Sequence, residues 1–171
     1  VWYGDDSLFF INSSNALQLN DSGNISDDAY LVTSTGMLDF SDSLIWNFNL
    51  KLLFNNPSSS NQSRVYLVSD KNNLKESLNG YYISIGESGS DDKIQLFRQD
   101  GTSTLELCSG NYVHSNNIDL KIRVVRDVAG NWLIESDSSN TGNSFIYEGG
   151  CTDNTYVFSI FSGFYCKYTP S

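Results

Sequence analysis

Leu44-Ile45-Trp46-Asn47-Phe48-Asn49-Leu50-Lys51-Leu52-Leu53-Phe54 is the stretch on which the fold turns. Trp46, Phe48, Leu50, Leu52 and Phe54 fall on one side, and Asn47, Asn49 and Lys51 on the other. Side chains of an extended chain point alternately to opposite faces, so five apolar positions in step predict a strand with one buried face. Those five residues are expected to form one wall of a core. Shorter runs of strand character lie on both sides: Leu8–Ile11, Ala16–Leu19, Tyr30–Thr33, Arg64–Ser69, Tyr81–Ile85, Lys93–Arg98, Thr104–Cys108, Asp119–Arg126, Trp132–Ser136, Ser144–Glu148, Tyr156–Ser162 and Phe164–Tyr168. Turn clusters such as 55–63, 87–92, Asp100-Gly101, Ala129-Gly130-Asn131 and 138–143 separate them. About a dozen short strands at these spacings read as an all-β sandwich. Only Lys71–Leu78 reads as a helical turn.

The composition agrees. Asn, Asp and Ser account for 61 of the 171 residues, and these side chains compete with a helical backbone for hydrogen bonds. Aromatic residues at 13% with only two prolines exclude a disordered chain. No linker, repeat or shift of composition divides the chain, so 1–171 reads as a single domain, large enough to bury roughly 70% of its unfolded surface. Ten basic against twenty acidic residues give a net charge of −10, with no Lys/Arg cluster, which argues against a nucleic-acid partner. No run of 18 apolar residues spells a transmembrane helix. The opening Val1-Trp2-Tyr3-Gly4 carries neither Met nor a basic and apolar leader, so any export signal is expected to have been removed already.

Side chains that carry chemistry are sparse. Cys108, Cys151 and Cys166 allow three different single disulfides with one thiol left over, and His114 is the only histidine, too few ligands for zinc. A retaining glucanase needs two carboxyl groups about 5–5.5 Å apart. Glu135-Ser136-Asp137 supplies one Glu and one Asp, but no second Glu follows to give up a proton, so the segment reads as a strand end entering a polar turn. Gly86-Glu87-Ser88-Gly89-Ser90 is a glycine-serine turn and not a nucleophile elbow, which leaves His114 as a solvated loop residue. Asp5-Asp6, Asp27-Asp28 and Asp91-Asp92 are acidic pairs in predicted turns, without EF-hand spacing. A saccharide platform requires exposed rings beside amide and charged groups. Arg64 and Tyr66 share one strand face, Tyr82 and Ser84 a second, Gln95 and Phe97 a third. If those strands are neighbours, Arg64, Tyr66, Tyr82 and Gln95 line one surface. A sheet covered on both faces would bury them instead.

Several longer segments resemble a known family. They are Arg64–Asp70 (RVYLVSD), Leu78–Gly86 (LNGYYISIG), Asp91–Gly101 (DDKIQLFRQDG), Arg123–Asp127 (RVVRD) with Gly130-Asn131-Trp132, Thr152–Tyr156 (TDNTY) and Tyr165–Thr169 (YCKYT). Together they are similar to the laminin-G-like, concanavalin A-like jelly-roll module of secreted Bacteroidota surface proteins, often found with lamin-tail domains and a type IX secretion signal. The resemblance implies an antiparallel two-sheet jelly roll, export to the cell surface, and a larger parent polypeptide whose other domains are partners. Members carry an Asp/Gly-rich strand before the Trp2 region and an aromatic strand after the Thr169 region. Neither is present, so an excerpt with open sheet edges at Phe9–Ile11 and Phe164–Tyr168 is expected. The resemblance also implies a Cys108–Cys166 disulfide, a loop calcium for which Asp91 and Asp92 are the candidates, and O-glycosylation at Ser7 and Ser43, each inside an Asp-Ser-apolar triplet. On this basis a non-catalytic binding or adhesion module is expected, with a glycan or a surface protein as ligand. The alternative is a spacer or docking subunit of a surface or secretion assembly. A glycoside hydrolase ranks last.

Overall fold

The computed structural model describes residues 1–21, 23, 25–53, 57–85, 92–114 and 117–169. Leu44–Leu52 is a strand, and its burial follows its polarity: Ile45, Asn47, Asn49 and Lys51 are exposed, while Trp46, Phe48 and Leu50 turn inward and Leu52 is buried. Phe54 lies outside the described residues. In chain order the strands are β1 (Trp2–Gly4), β2 (Phe9–Ile11), β3 (Leu17–Leu19), β4 (Asp27–Asp39), β5 (Leu44–Leu52), β6 (Gln62–Ser69), β7 (Leu78–Ile85), β8 (Gln95–Gly101), β9 (Ser103–Ser109), β10 (Ile118–Arg126), β11 (Asn131–Asp137), β12 (Ile146–Thr152) and β13 (Phe158–Tyr168).

These strands build an antiparallel two-sheet jelly roll. One sheet has seven strands in the order β1-β4-β13-β6-β7-β8-β9, and the other has four, β12-β11-β10-β5. The alternation seen in β5 recurs in its neighbour β10, where Ile118, Leu120, Ile122 and Val124 are buried, because the two pair along their whole length from Ile118↔Leu52 to Arg126↔Leu44. Their apolar faces meet Val65, Leu67, Ile83, Ile85 and Leu96 of the large sheet, and Ile94 just before β8. At one end Trp132 lies between Trp46, 5.8 Å away and nearly parallel, and Tyr81 at 4.8 Å. Arg126, fully buried, has its guanidinium 4.7 Å from the Phe40 ring and bonds Asn154 and the Asp127 carbonyl. The turn from β10 to β11 is set by Asp127, whose carboxylate accepts from the Ala129 and Asn131 N–H groups, and by Gly130 at φ +82°.

The two sides of the sandwich differ. Along β9 and β12 the sheets touch: a Cβ at Gly149 would stand 2.8 Å from the Ser109 carbonyl oxygen, so only glycine permits this approach. Along β5 they part, leaving an apolar cleft of about 330 Å³ between Trp46 and Phe48 on one wall and Trp2, Val65, Leu67 and Phe164 on the other.

Several expectations change. The two late strand predictions are one strand, β13, whose register slips between Ser159 and Phe161. Phe164–Tyr168 is no open edge: it pairs with β4 on one side and β6 on the other. Phe9–Ile11 forms no edge of the sandwich either, because it pairs only with β3 in a separate two-stranded ribbon. The Lys71–Leu78 segment is irregular up to Leu78, where β7 begins, and the one 3-10 turn among the described residues is Asp6–Leu8.

Candidate functional site

The outer face of the seven-stranded sheet, turned away from the core, gathers the residues singled out for saccharide recognition. β6, β7 and β8 are neighbours, with Arg64 opposite Ser84, Tyr66 opposite Tyr82, and Ser84 opposite Gln95. Arg64, Tyr66, Tyr82 and Gln95 therefore do share one surface. Tyr66, Tyr82 and Gln95 are nevertheless only 1–2% exposed, so an open platform made of their rings is not what forms. A second apolar cluster covers them. Val32, Leu74 and Leu78 pack with Tyr66 and Tyr82, Leu74 being carried over the face by the segment before β7. The Tyr66 hydroxyl donates to Gln99 Oε1 at 2.8 Å, which satisfies both buried groups. Burial raises the pKa of both tyrosines, against the lowering influence of Arg64.

Half-buried side chains and a polar margin remain open on this face, Tyr30 and Phe161 beside the cover and three others nearer the Arg64 end of it. Phe97 stacks on Tyr82 at 5.1 Å, Tyr165 stands on the β13 side, and Arg64 lies between them. The Arg64 guanidinium carbon is 4.8 Å from the Tyr82 ring centre and 5.4 Å from that of Tyr165, and its Nε donates to Gln62 Oε1. Thr104 and Glu106 of β9 are exposed, and Gln95 Nε2 donates to Glu106 Oε2 at 2.9 Å. On the opposite margin the Tyr165 hydroxyl, its pKa pushed up to about 12 by burial and by its bond to Asp28, donates to that carboxylate. The surface thus offers ring faces, a cation, an amide and a carboxylate, the groups that hold a sugar's apolar face and its hydroxyls. Phe97, Tyr165 and Glu106 were the part missed; alternation put Phe97 on this face, but nothing local linked Tyr165 to β6.

The other singled-out residues lie elsewhere. Asp91 is outside the described residues, and Asp92 is 3% exposed with its carbonyl accepting from the His114 N–H. Calcium takes six to eight oxygen ligands, and among the described residues no group of three or more His, Cys, Asp or Glu is placed to hold a metal. Ser7 and Ser43 are both exposed. Cys108 does not face Cys166. Its sulfur lies 2.6 Å from that of Cys151, across the seam where β9 meets β12, whereas Cys166 is on β13, well inside the large sheet. The shared contact raises the pKa of Cys108 and lowers that of Cys151.

Glu135 and Asp137 are each committed to structure. Glu135 accepts from Arg123 Nε at 2.6 Å. Asp137 takes the Ser139 hydroxyl and the Ser139 and Gly142 N–H groups, which anchor the following turn and hold its carboxyl well below the usual range. His114 is not a solvated loop residue: Nε2 is 2.8 Å from Glu148 Oε1, and Glu148, fully buried, also accepts from the Ser136 hydroxyl at 2.6 Å. The carboxylate stands between hydroxyl and imidazole, so the histidine is not the partner that would activate the serine.

No protein-family model matches the chain, and no curated protein matches it either. Solved structures do resemble it. A carbohydrate-binding module, CBM66, of Bacillus subtilis superposes with a TM-score of 0.64 at 11% identity, over 99% of this chain and 92% of its own. The exoplasmic/lumenal domain of VIP36, in a Ca2+/Man3GlcNAc-bound form, gives 0.69 at 12%, over 99% and 76%. A legume lectin-like domain of Entamoeba histolytica gives 0.63 at 15%, over 100% and 82%. At such identities the likeness is one of fold.

Proposed function

We propose that the chain is a non-catalytic glycan-binding module and that the outer face of the seven-stranded sheet is its binding surface. The observation that carries this is the grouping of Arg64, Phe97 and Tyr165 with Gln95 and Glu106 on one face. The lectin and carbohydrate-binding-module likeness of the fold supports it, though fold alone does not assign a ligand. The engagement of Glu135 with Arg123 and of Asp137 with its turn speaks against a hydrolase built on them. A glycan array is the test: retention without turnover is expected, and hydrolysis abolished by Glu135→Gln would overturn the proposal.

A second reading, a docking module in a larger surface assembly, draws on β5. Its outer edge has no pairing partner among the described residues, and the apolar cleft opens beside it, so an extended segment of another domain could add there as a strand. We further infer export in a polypeptide of the Bacteroidota surface type. No helix among the described residues is long and apolar enough to cross a membrane. Exposed Ser7 and Ser43 would then carry O-linked sugar, which mass spectrometry of their peptides from the native protein would detect.

A further inference from the structure

The chain has four arginines and twice as many acidic as basic residues, so carboxylates are abundant. Arg98 pairs with Asp100 and Asp153, and Arg123 with Glu135. Arg126 is sealed in the core. Arg64 differs from all three. It is half-buried, so solvent only partly compensates its charge, and among the described residues no carboxylate lies within ion-pairing distance of it. An arginine held this way, without a counter-charge, costs the fold free energy that a neutral residue would not.

Its surroundings position it all the same. The Tyr82 and Tyr165 rings flank the guanidinium, and Gln62 takes the Nε proton. Neither ring nor amide neutralises the charge, and the Nε bond leaves the paired Nη groups, the fork that carboxylates bind bidentately, without a described carboxylate. Phe97, stacked on the far side of Tyr82, supplies a ring surface one strand further along the same face. Glu106 and Asp28 lie at the two margins, each already accepting a hydrogen bond, from Gln95 and from Tyr165.

We propose that the ligand is an acidic saccharide, whose sugar carboxylate pairs with Arg64 while its neighbouring sugar rings rest against Tyr165 on one side and Phe97 on the other. This rests on the glycan-binding reading and names the class of glycan. The carboxylates at the margins are already engaged, Glu106 by Gln95 and Asp28 by Tyr165 and Lys75, so neither takes the place of a ligand carboxylate at Arg64.

Isothermal titration with oligogalacturonates and oligomannuronates of three to six units tests the proposal, beside their methyl esters and neutral cello- and manno-oligosaccharides of equal length. The acids are expected to bind, and the esters to bind about ten- to a hundredfold more weakly, the factor carried by a charge-assisted hydrogen bond. Arg64→Gln should lose a similar factor. Arg64→Lys, which keeps the charge but not the fork, should fall between, with unchanged far-UV circular dichroism in both variants. Neutral oligosaccharides binding as tightly as acids, with Arg64→Gln indistinguishable from the parent, would overturn the acidic-ligand proposal and leave the glycan module standing. Binding to none of these sugars, nor to any glycan on the array, would remove both.

Discussion

Oxidation should join Cys108 to Cys151, and the consequence can be worked through. The two sulfurs already meet at the β9–β12 seam, and the close approach depends on Gly149. The oxidant is a disulfide-bearing small molecule such as oxidised glutathione: two exchange steps transfer two electrons to it, and the two thiol protons pass to its released halves, leaving a protein disulfide plus two reduced small thiols. The cross-link would close a loop spanning a 43-residue separation. In the chain-entropy account a loop of that size stabilises by about 4 kcal/mol. A chain of 171 residues unfolds with an entropy of about 360 cal/mol/K, so the midpoint should rise by roughly 11 °C. Differential scanning calorimetry of oxidised and dithiothreitol-treated protein reads this shift, and thiol titration in denaturant reads the chemistry. One free thiol, in the peptide containing Cys166, is expected after oxidation. Three free thiols, a peptide linking Cys108 to Cys166, or a midpoint indifferent to reductant would refute the reasoning.

Three further outcomes follow from the packing and the charges. Ile122, fully buried at the middle of β10, should lose about 2–5 kcal/mol on change to Ala in urea titration, and a loss under about 1 would mean the two sheets do not pack as described. Tyr66→Phe deprives the buried Gln99 oxygen of its donor and should cost about 1–3 kcal/mol with an unchanged denaturant slope. In acid, the carboxyls of Asp137, Asp127 and Asp119, lowered chiefly by bonds from Ser139, Asn131 and Lys51, lie below their unfolded value of 3.8. Their contribution is complete above that value and is lost as pH falls through the folded pKa, so the thermal midpoint should drop below about pH 4. A midpoint that rose between pH 5 and 3 would contradict this.

Strands were legible wherever one face meets water. In β5, Asn47, Asn49 and Lys51 mark the wet side and thereby the core side. β6 and β7 give a weaker signal, because Leu74 and its neighbours cover the outer face as well, and whether Tyr66 and Tyr82 are exposed or buried stays open until that cover is known. β1 has only three residues, too few to alternate, and exists because β4 offers it an edge. The cysteine partner depended on which sheet edges touch, and that is decided by Gly149 against Ser109, far from any cysteine motif. Glu148 gave no warning: its role appears only when the chain before β10 brings His114 to it.

The position of β13 has a consequence for the order in which the molecule can be made. β4 ends at Asp39, and the strand that ties it to the rest of the large sheet starts at Phe158. Its other neighbour is the three-residue β1. With about 5–20 residues polymerised per second, β4 leaves the ribosome roughly 6–24 s before its partner exists. During that interval Leu31 and Val32, buried in the finished sheet, have nothing durable to pack against. Nascent chains stalled before residue 158 should therefore remain protease-sensitive and bound to holding chaperones, and become resistant only once β13 has emerged to join β4 to β6.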